Sequence, residues 1–322
     1  MRTPILLVAL ALACAGSSAC SRPDPFAGRP ADPSSKAQLL PSQPFAPRAL
    51  PMFSGHDGRV VTWADLMDAA ARSDVVILGE QHDDAVGHAV ELAVVSDVLA
   101  SFPGSALSLE MLERHEQDEV DAYLAGELEL AAFIEATGSE NWSGKQRWED
   151  SYGRLVEAAK RTGSRVIAAN APRSYVRLAG REGYDALRSL PPEERALFDL
   201  PDALDDGAYR ARLVELMTEA RGEPPTDEQV ERALRPQMVW DATMARSIAK
   251  ALDARPNGAA KVVHVIGRFH SDFDGGTVLE LSKAAPFARI LVISLCDASS
   301  RELAADDAGR ADIVVYTGLG AE

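Results

Sequence analysis

Apolar runs and polar breaks divide this chain into a regular alternation. Val75-Val76-Ile77-Leu78 is four apolar residues in a row, three of them β-branched, as expected of a strand buried on both faces. Similar short runs predict strands over Ala106–Leu109, Arg165–Ala169, Val262–Ile266, Ile290–Leu295 and Ile313–Tyr316, with Val60-Val61-Thr62 as a short extra strand. Between them the spacing turns helical. A helix starting at Thr62 or Asp65 is expected to reach Arg72. Another over Ala85–Ser101 has Asp83 and Asp84 where an N-cap is wanted. Glu113–Thr137 is charged and helical with a break near Gly126, and a further helix runs from Tyr152 to Arg161.

From Tyr175 to Ala254 nothing reads as a strand. Helices are expected near Tyr184, over Ala208–Arg221 and over Asp227–Leu252, with Pro236 kinking or splitting the last. Strand alternating with helix implies the α/β class: a parallel-rich central sheet with helices on both faces, and a large helical insertion, about 171–258, acting as a cap. One domain is expected over 52–322.

The first twenty residues change the picture at one end. Arg2 is followed by a short apolar run, Ile5–Cys14, and then Ser17-Ser18-Ala19-Cys20. The run is too short to span a bilayer. It reads as a lipoprotein signal with Cys20 as the lipidated residue. Ser21 after the cysteine suits outer-membrane sorting in a Gram-negative cell envelope. Residues 21–51, rich in Pro, Ser and Ala, read as a flexible tether. After cleavage Cys296 is the sole thiol, and its apolar surroundings predict a buried, inert residue. The net charge of −16 over 322 residues argues against nucleic acid or an anionic membrane surface as the main partner.

The candidate chemistry lies where the strands end. In open parallel sheets ligands bind at the carboxyl ends of strands. Two strands here end in Gly with His three positions later, Gly79…His82 and Gly267…His270. Others end in Glu110 and in Asn170-Ala171-Pro172-Arg173. His82, Glu110 and His270 form a set that holds a divalent ion with a position open, and Glu80 or a carboxylate behind the ligands is placed to serve as base. Asn170 and Asp241 are expected to support the set. His264 is expected in the core or just behind the site, while His56, His88 and His115 are expected at the helix or loop surface. Asp272 and Asp274 are explained equally by a Phe-Asp-Gly-Gly turn and by added ligation. Covalent c-type haem is excluded because no Cys-x-x-Cys-His occurs. Non-covalent haem takes Tyr or His as axial ligand. Tyr152, Tyr175, Tyr184 and Tyr209 are candidates, with Arg173 available to a propionate or a substrate carboxylate.

Five segments together carry a resemblance: Leu78–Asp83, Leu109–Met111, Ala168–Arg173, Trp240–Ala245 and Gly267–His270. The chain resembles the ChaN-like lipoproteins, a haem-binding uptake family within the Tiki/TraB superfamily, over roughly Val60 to Glu280. The resemblance implies an iron-acquisition lipoprotein that binds haem, as a monomer or between two copies of itself. In peptidase-like relatives the two Gly-x-x-His histidines and an acidic residue form a metal-dependent site. Those roles fall here on His82, His270 and Glu110. Two departures stand out: Gly-Arg-Phe-His is bulkier than the expected form, and Ser271-Asp272 replaces an apolar follow-on.

Two functions follow as expectations. One is an anchored lipoprotein holding haem or iron compounds, with Arg173 and Tyr175 as cofactor contacts. The other is a metal-dependent hydrolase, peptidase- or esterase-like, using Glu80, His82, Glu110 and His270.

Overall fold

The computed structural model describes residues 22–28, 46–142, 147–205, 207–253 and 258–318. The leader, Cys20 and part of the expected tether lie outside the described residues. The described strands are β1 (Met52–Ser54), β2 (Val75–Glu80), β3 (Ala106–Glu113), β4 (Arg165–Asn170), β5 (Val262–Gly267), β6 (Ile290–Cys296) and β7 (Ile313–Tyr316). They form one sheet in the order β1-β7-β6-β2-β5-β3-β4. Every neighbouring pair is parallel except β1 with β7, so the fold is the expected α/β class.

Side chains alternate between two cores, as the pleat requires. Val76 and Leu78 of β2 pack with Val263 and Val265 of β5 on one face. Val75 and Ile77 pack with Val262 and Ile266 on the other. The first face is covered by α1 (Trp63–Arg72), α2 (Ala85–Ser101), α3 (Gln117–Ala125), α4 (Leu130–Thr137) and α5 (Tyr152–Thr162). Thr62 and Asp65 close a capping box on α1, satisfying donors that the first turn leaves open. Asp84 caps α2 by accepting from Val86 N at 3.0 Å. Gly126, at φ 77°, ends α3 in the left-handed conformation that favours glycine, which is the expected break.

The insertion carries α6 (Arg173–Glu182), α7 (Tyr184–Arg188), α8 (Pro192–Arg195), α9 (Ala208–Arg221) and α10 (Asp227–Asp253); α11 (Gly276–Ala284) follows β5. Met244, Ala245, Ile248 and Ala249 of α10 cover the second face with Val278 and Leu281 of α11. Pro236 does not split α10, which runs as one helix. Gly180 of α6 fits against it there: a Cβ at Gly180 would lie 3.0 Å from Pro236 Cγ.

Three expectations need correction. The strand expected at Val60–Thr62 is a single bridge, Val60 to Phe53, and the edge strand is Met52–Ser54 instead. Part of the expected tether is docked. Phe26 is buried in the main core, and Arg22 pairs with Asp274 and Asp312 at 2.6 and 2.8 Å. His88 is not at the surface: α2 is packed on both sides, and this residue is only 5 % exposed. Of the two readings open for Asp272, the structural one describes its contacts: it accepts from Ser294 Oγ at 2.8 Å and pairs with Arg310.

Cys296 is free and buried, as expected, and burial pushes its thiol up. His264 is fully buried beside Ser108, and burial lowers it to about 3, so it stays neutral.

Candidate functional site

The two Gly-x-x-His copies meet crosswise on adjacent strands, with Glu80 opposite Gly267 in register. Each glycine makes room for the residues that follow the other. A Cβ at Gly79 would overlap Ser271 Oγ and sit 3.1 Å from Arg268 Cα, so the turn after β5 lies directly over β2. A Cβ at Gly267 would sit 3.3 Å from His82 Nε2 and 3.5 Å from Glu110 Oε2. The Gly267 amide itself donates to Glu110 Oε2 at 2.5 Å.

His82 is positioned from behind. Its Nδ1 lies 2.5 Å from Glu80 Oε1. Tyr152 of α5 donates to the same oxygen at 3.0 Å and stands 3.1 Å from Nδ1. This pairing directs Nε2 toward Gly267, and the ring stands edge-on to Trp142, with centroids 5.9 Å apart. Burial opposes a charge on His82. The hydrogen bond and field of Glu80, with help from Glu110 and Glu91, outweigh it and raise His82 to about 9.

His270 is held from the cap. Its Nδ1 lies 2.7 Å from Asp241 Oδ1. Asp241 also accepts from Tyr209 of α9 at 2.7 Å and Thr277 of α11 at 2.8 Å, so three helices fix one carboxylate. The other ring nitrogen, Nε2, lies 3.8 Å from Glu110 Oε1. Burial opposes the imidazolium, but Asp241 and then Glu110 shift His270 upward.

Glu110 therefore faces His270 with Oε1 and holds the Gly267 amide with Oε2, on the side toward which His82 Nε2 points. Asn170 secures it through the backbone, donating to Glu110 O at 2.9 Å. A bulge in β3 between Leu109 and Glu113 lets the strand continue past this point. A histidine backed by a carboxylate has its tautomer and ring orientation set, which suits a metal ligand or a base. Glu80, His82, Glu110, His270, Asn170 and Asp241 are thus brought to one end of the sheet.

Compactness is a separate matter. Among the described residues, groups of three ligand-bearing side chains whose atoms all lie within 4.8 Å are Glu80–His88–Glu91 and Glu113–His115–Glu116. The trio His82, Glu110 and His270 is more widely spread than that.

Arg173 and Tyr175 open α6, but point differently. The Arg173 guanidinium stacks on Trp142 at 4.2 Å and approaches Glu113 at 3.8 Å, beside the strand ends. Tyr175 packs on Phe198 and donates to Glu194 at 3.0 Å, toward the cap. Two positions along a helix do not share a face. Tyr152 and Tyr209 are buried with their hydroxyls given to Glu80 and Asp241, and Tyr184 donates to Arg235 O.

Sequence reasoning named Tyr152 and Tyr209 only as candidate haem ligands and missed their carboxylate partners, as it missed Thr277 and the pair His88–Glu91. The first three leave no local signal, because their partners are distant along the chain. His88 and Glu91, three apart on an otherwise apolar helix, were visible as a polar pair on one face.

A capped parallel sheet that collects imidazoles and carboxylates at its strand ends defines a ligand-site protein of the α/β class. The family model described as haem-binding uptake, Tiki superfamily, ChaN matches residues 66–281, and the chain belongs to that family. Among solved structures, one described as cofacial haem binding to ChaN of Campylobacter jejuni is 18% identical. That match covers 83% of this chain and 96% of the other, with a TM-score of 0.62. The type III effector HopBA1 is 15% identical, covering 78% and 91%, with a TM-score of 0.48. No curated protein matches.

Proposed function

We propose that this chain is a haem-binding protein of iron uptake, carried on the cell envelope as a lipoprotein anchored at Cys20. The observation that carries the reading is the family match across residues 66–281. The outer membrane of a Gram-negative cell is the proposed location, read from the leader. No helix among the described residues is long and apolar enough to cross a membrane. A pair of copies is proposed as one form of the bound state.

The residues fit haem best at the His82 rim. The His82 side chain is 41% exposed, with Nδ1 held by Glu80. Trp142 offers a flat apolar surface beside it, and Arg173 supplies a cation for a propionate. Bound haem supplies an iron open to an axial protein ligand. His82 is the proposed donor, since the Tyr152 and Tyr209 hydroxyls are committed elsewhere.

Titration of the mature protein with haemin is expected to give a shifted Soret band that saturates at a fixed stoichiometry. His82→Ala is expected to alter the position of that band. A flat titration at micromolar haemin overturns the proposal.

The second reading, a metal-dependent hydrolase, draws on Glu110 acting between two carboxylate-backed histidines. Turnover of model peptides and esters that disappears in both His82→Ala and His270→Ala would support it. Absence of any such turnover would end it.

A further inference from the structure

Behind His82, on the side away from Gly267, lies a second cluster: Glu80 at the end of β2, with His88 and Glu91 in the first two turns of α2. All three are buried, and one ligand atom from each falls within 4.8 Å of the others.

The hydrogen bonds set the chemistry. His88 Nε2 lies 3.1 Å from the carbonyl oxygen of His82, and only an N–H can make that contact. This fixes a proton on Nε2 and leaves Nδ1 facing Glu91 Oε2 at 3.0 Å. A lone pair facing a carboxylate oxygen in a buried site needs a cation between them. That cation is either a second proton or a metal ion. Metal–nitrogen and metal–oxygen bonds of about 2.0–2.2 Å place two ligand atoms about 2.9 to 3.4 Å apart at ordinary coordination angles. The observed separation falls within that interval.

Two further atoms favour the metal. Glu80 gives Oε1 to Tyr152 and His82, and its Oε2 is buried without a partner. Glu91 faces His88 with Oε2, and its Oε1 is likewise buried without a partner. Buried acceptors are nearly always satisfied. A proton on the imidazole serves one of these carboxylate contacts and leaves two oxygens unmet. Asp84 adds negative charge nearby, its own oxygens taken by Val86 N and Thr317.

We propose that Glu80, His88 and Glu91 bind one divalent first-row transition-metal ion, such as zinc, as a buried structural centre. One imidazole with two carboxylates suits such an ion. The centre ties the end of β2 to the start of α2. It would hold His82 through both its carbonyl, by way of His88, and its ring, by way of Glu80, so it acts as a positioning device for the rim.

The test uses untagged mature protein stripped with chelator and then loaded with Zn²⁺ or Co²⁺ alone. About one equivalent is expected in the wild type, with a Co²⁺ visible spectrum and a raised melting temperature. Glu91→Gln and His88→Gln are expected to lose both the ion and the thermal shift. His270→Ala, which removes a ligand of the strand-end trio, and His115→Ala, in the outer cluster, are expected to keep them. If Glu91→Gln or His88→Gln does not fold, the comparison of wild type with His270→Ala decides. Equal stoichiometry supports the centre, and loss of binding in His270→Ala overturns it. No uptake of either ion by folded wild type also overturns it and leaves a protonated His88–Glu91 pair. None of these outcomes depends on whether haemin binds.

Discussion

His82 and Glu80 are two residues apart in sequence, yet their side chains meet at 2.5 Å, Nδ1 to Oε1, around the turn that follows Gly79. The contact decides the ionisation of the exposed imidazole. The folded value of about 9 lies above the ordinary 6.5, so the pair stabilises the fold fully below about pH 6.5. That contribution fades as pH rises and is gone above about 9. Glu80→Gln is expected to bring the His82 titration down toward its ordinary value, followed by NMR of the ring protons. An unchanged midpoint would mean that Glu110 and Glu91 suffice without Glu80.

The same value predicts how haem ligation responds to pH. A proton on Nε2 competes with iron, so haemin affinity should increase between pH 7 and 9 in the wild type. In Glu80→Gln the increase should occur at lower pH. Spectroscopic titrations at fixed ionic strength measure it, and parallel profiles for the two proteins would argue against His82 as the donor.

Gly79 and Gly267 should tolerate alanine very differently. At Gly79 the added methyl meets a serine hydroxyl and the backbone of Arg268, which cannot yield without moving the whole turn. A loss of about 1–3 kcal/mol is expected in urea unfolding. At Gly267 the obstacle is the far end of the His82 side chain, which can shift by a few tenths of an ångström. Stability should be nearly kept there, while haemin affinity falls.

Asp241 joins α9, α10 and α11 to His270 through three short hydrogen bonds. Asp241→Ala strands a buried imidazole and two hydroxyls. A loss of about 3–5 kcal/mol is expected from denaturant unfolding. A loss below 1 kcal/mol would show that His270 is held by Glu110 instead.

Arg173→Ala removes the proposed propionate cation but leaves Trp142 in place. A charge-assisted hydrogen bond contributes about 1.5 kcal/mol or more, so haemin affinity should weaken by roughly tenfold. Tyr175→Phe, directed at the cap, should change it little. The reverse order in Soret titrations would relocate the haem toward α8.

Local pattern carried most of this fold. Ala85–Ser101 and Ile313–Tyr316 match the structure residue for residue, because strong apolar runs and an Asp cap mark their limits. The convergence of His82, Glu110 and His270 was legible too, since parallel strands must end on one side. What escaped was long-range. Met52–Ser54 is only three residues and gains its strand character from pairing with β7. Phe26 and Arg22 sit in a Pro-rich stretch, and their burial depends on Arg59 and on the Asp274 and Asp312 carboxylates far along the chain. His88 was misplaced because α2 is apolar on nearly every side, so its pairing with Glu91 three residues on reads equally well as a wet face. Tyr209 reaches its partner across the cap, from a helix in which only Tyr209 and Leu213 are buried.

The reciprocal fit of the two glycines has a consequence for how this site can change over evolutionary time. Position 79 cannot accept a larger residue unless the turn after β5 retreats, and position 267 can do so only as the His82 ring gives way, so substitutions at 79 are expected to travel with changes at 268 or 271, and those at 267 with changes at 82. The two histidine arms would then drift together as one inherited unit, while the cap diversifies at positions other than Asp241, Tyr209 and Thr277.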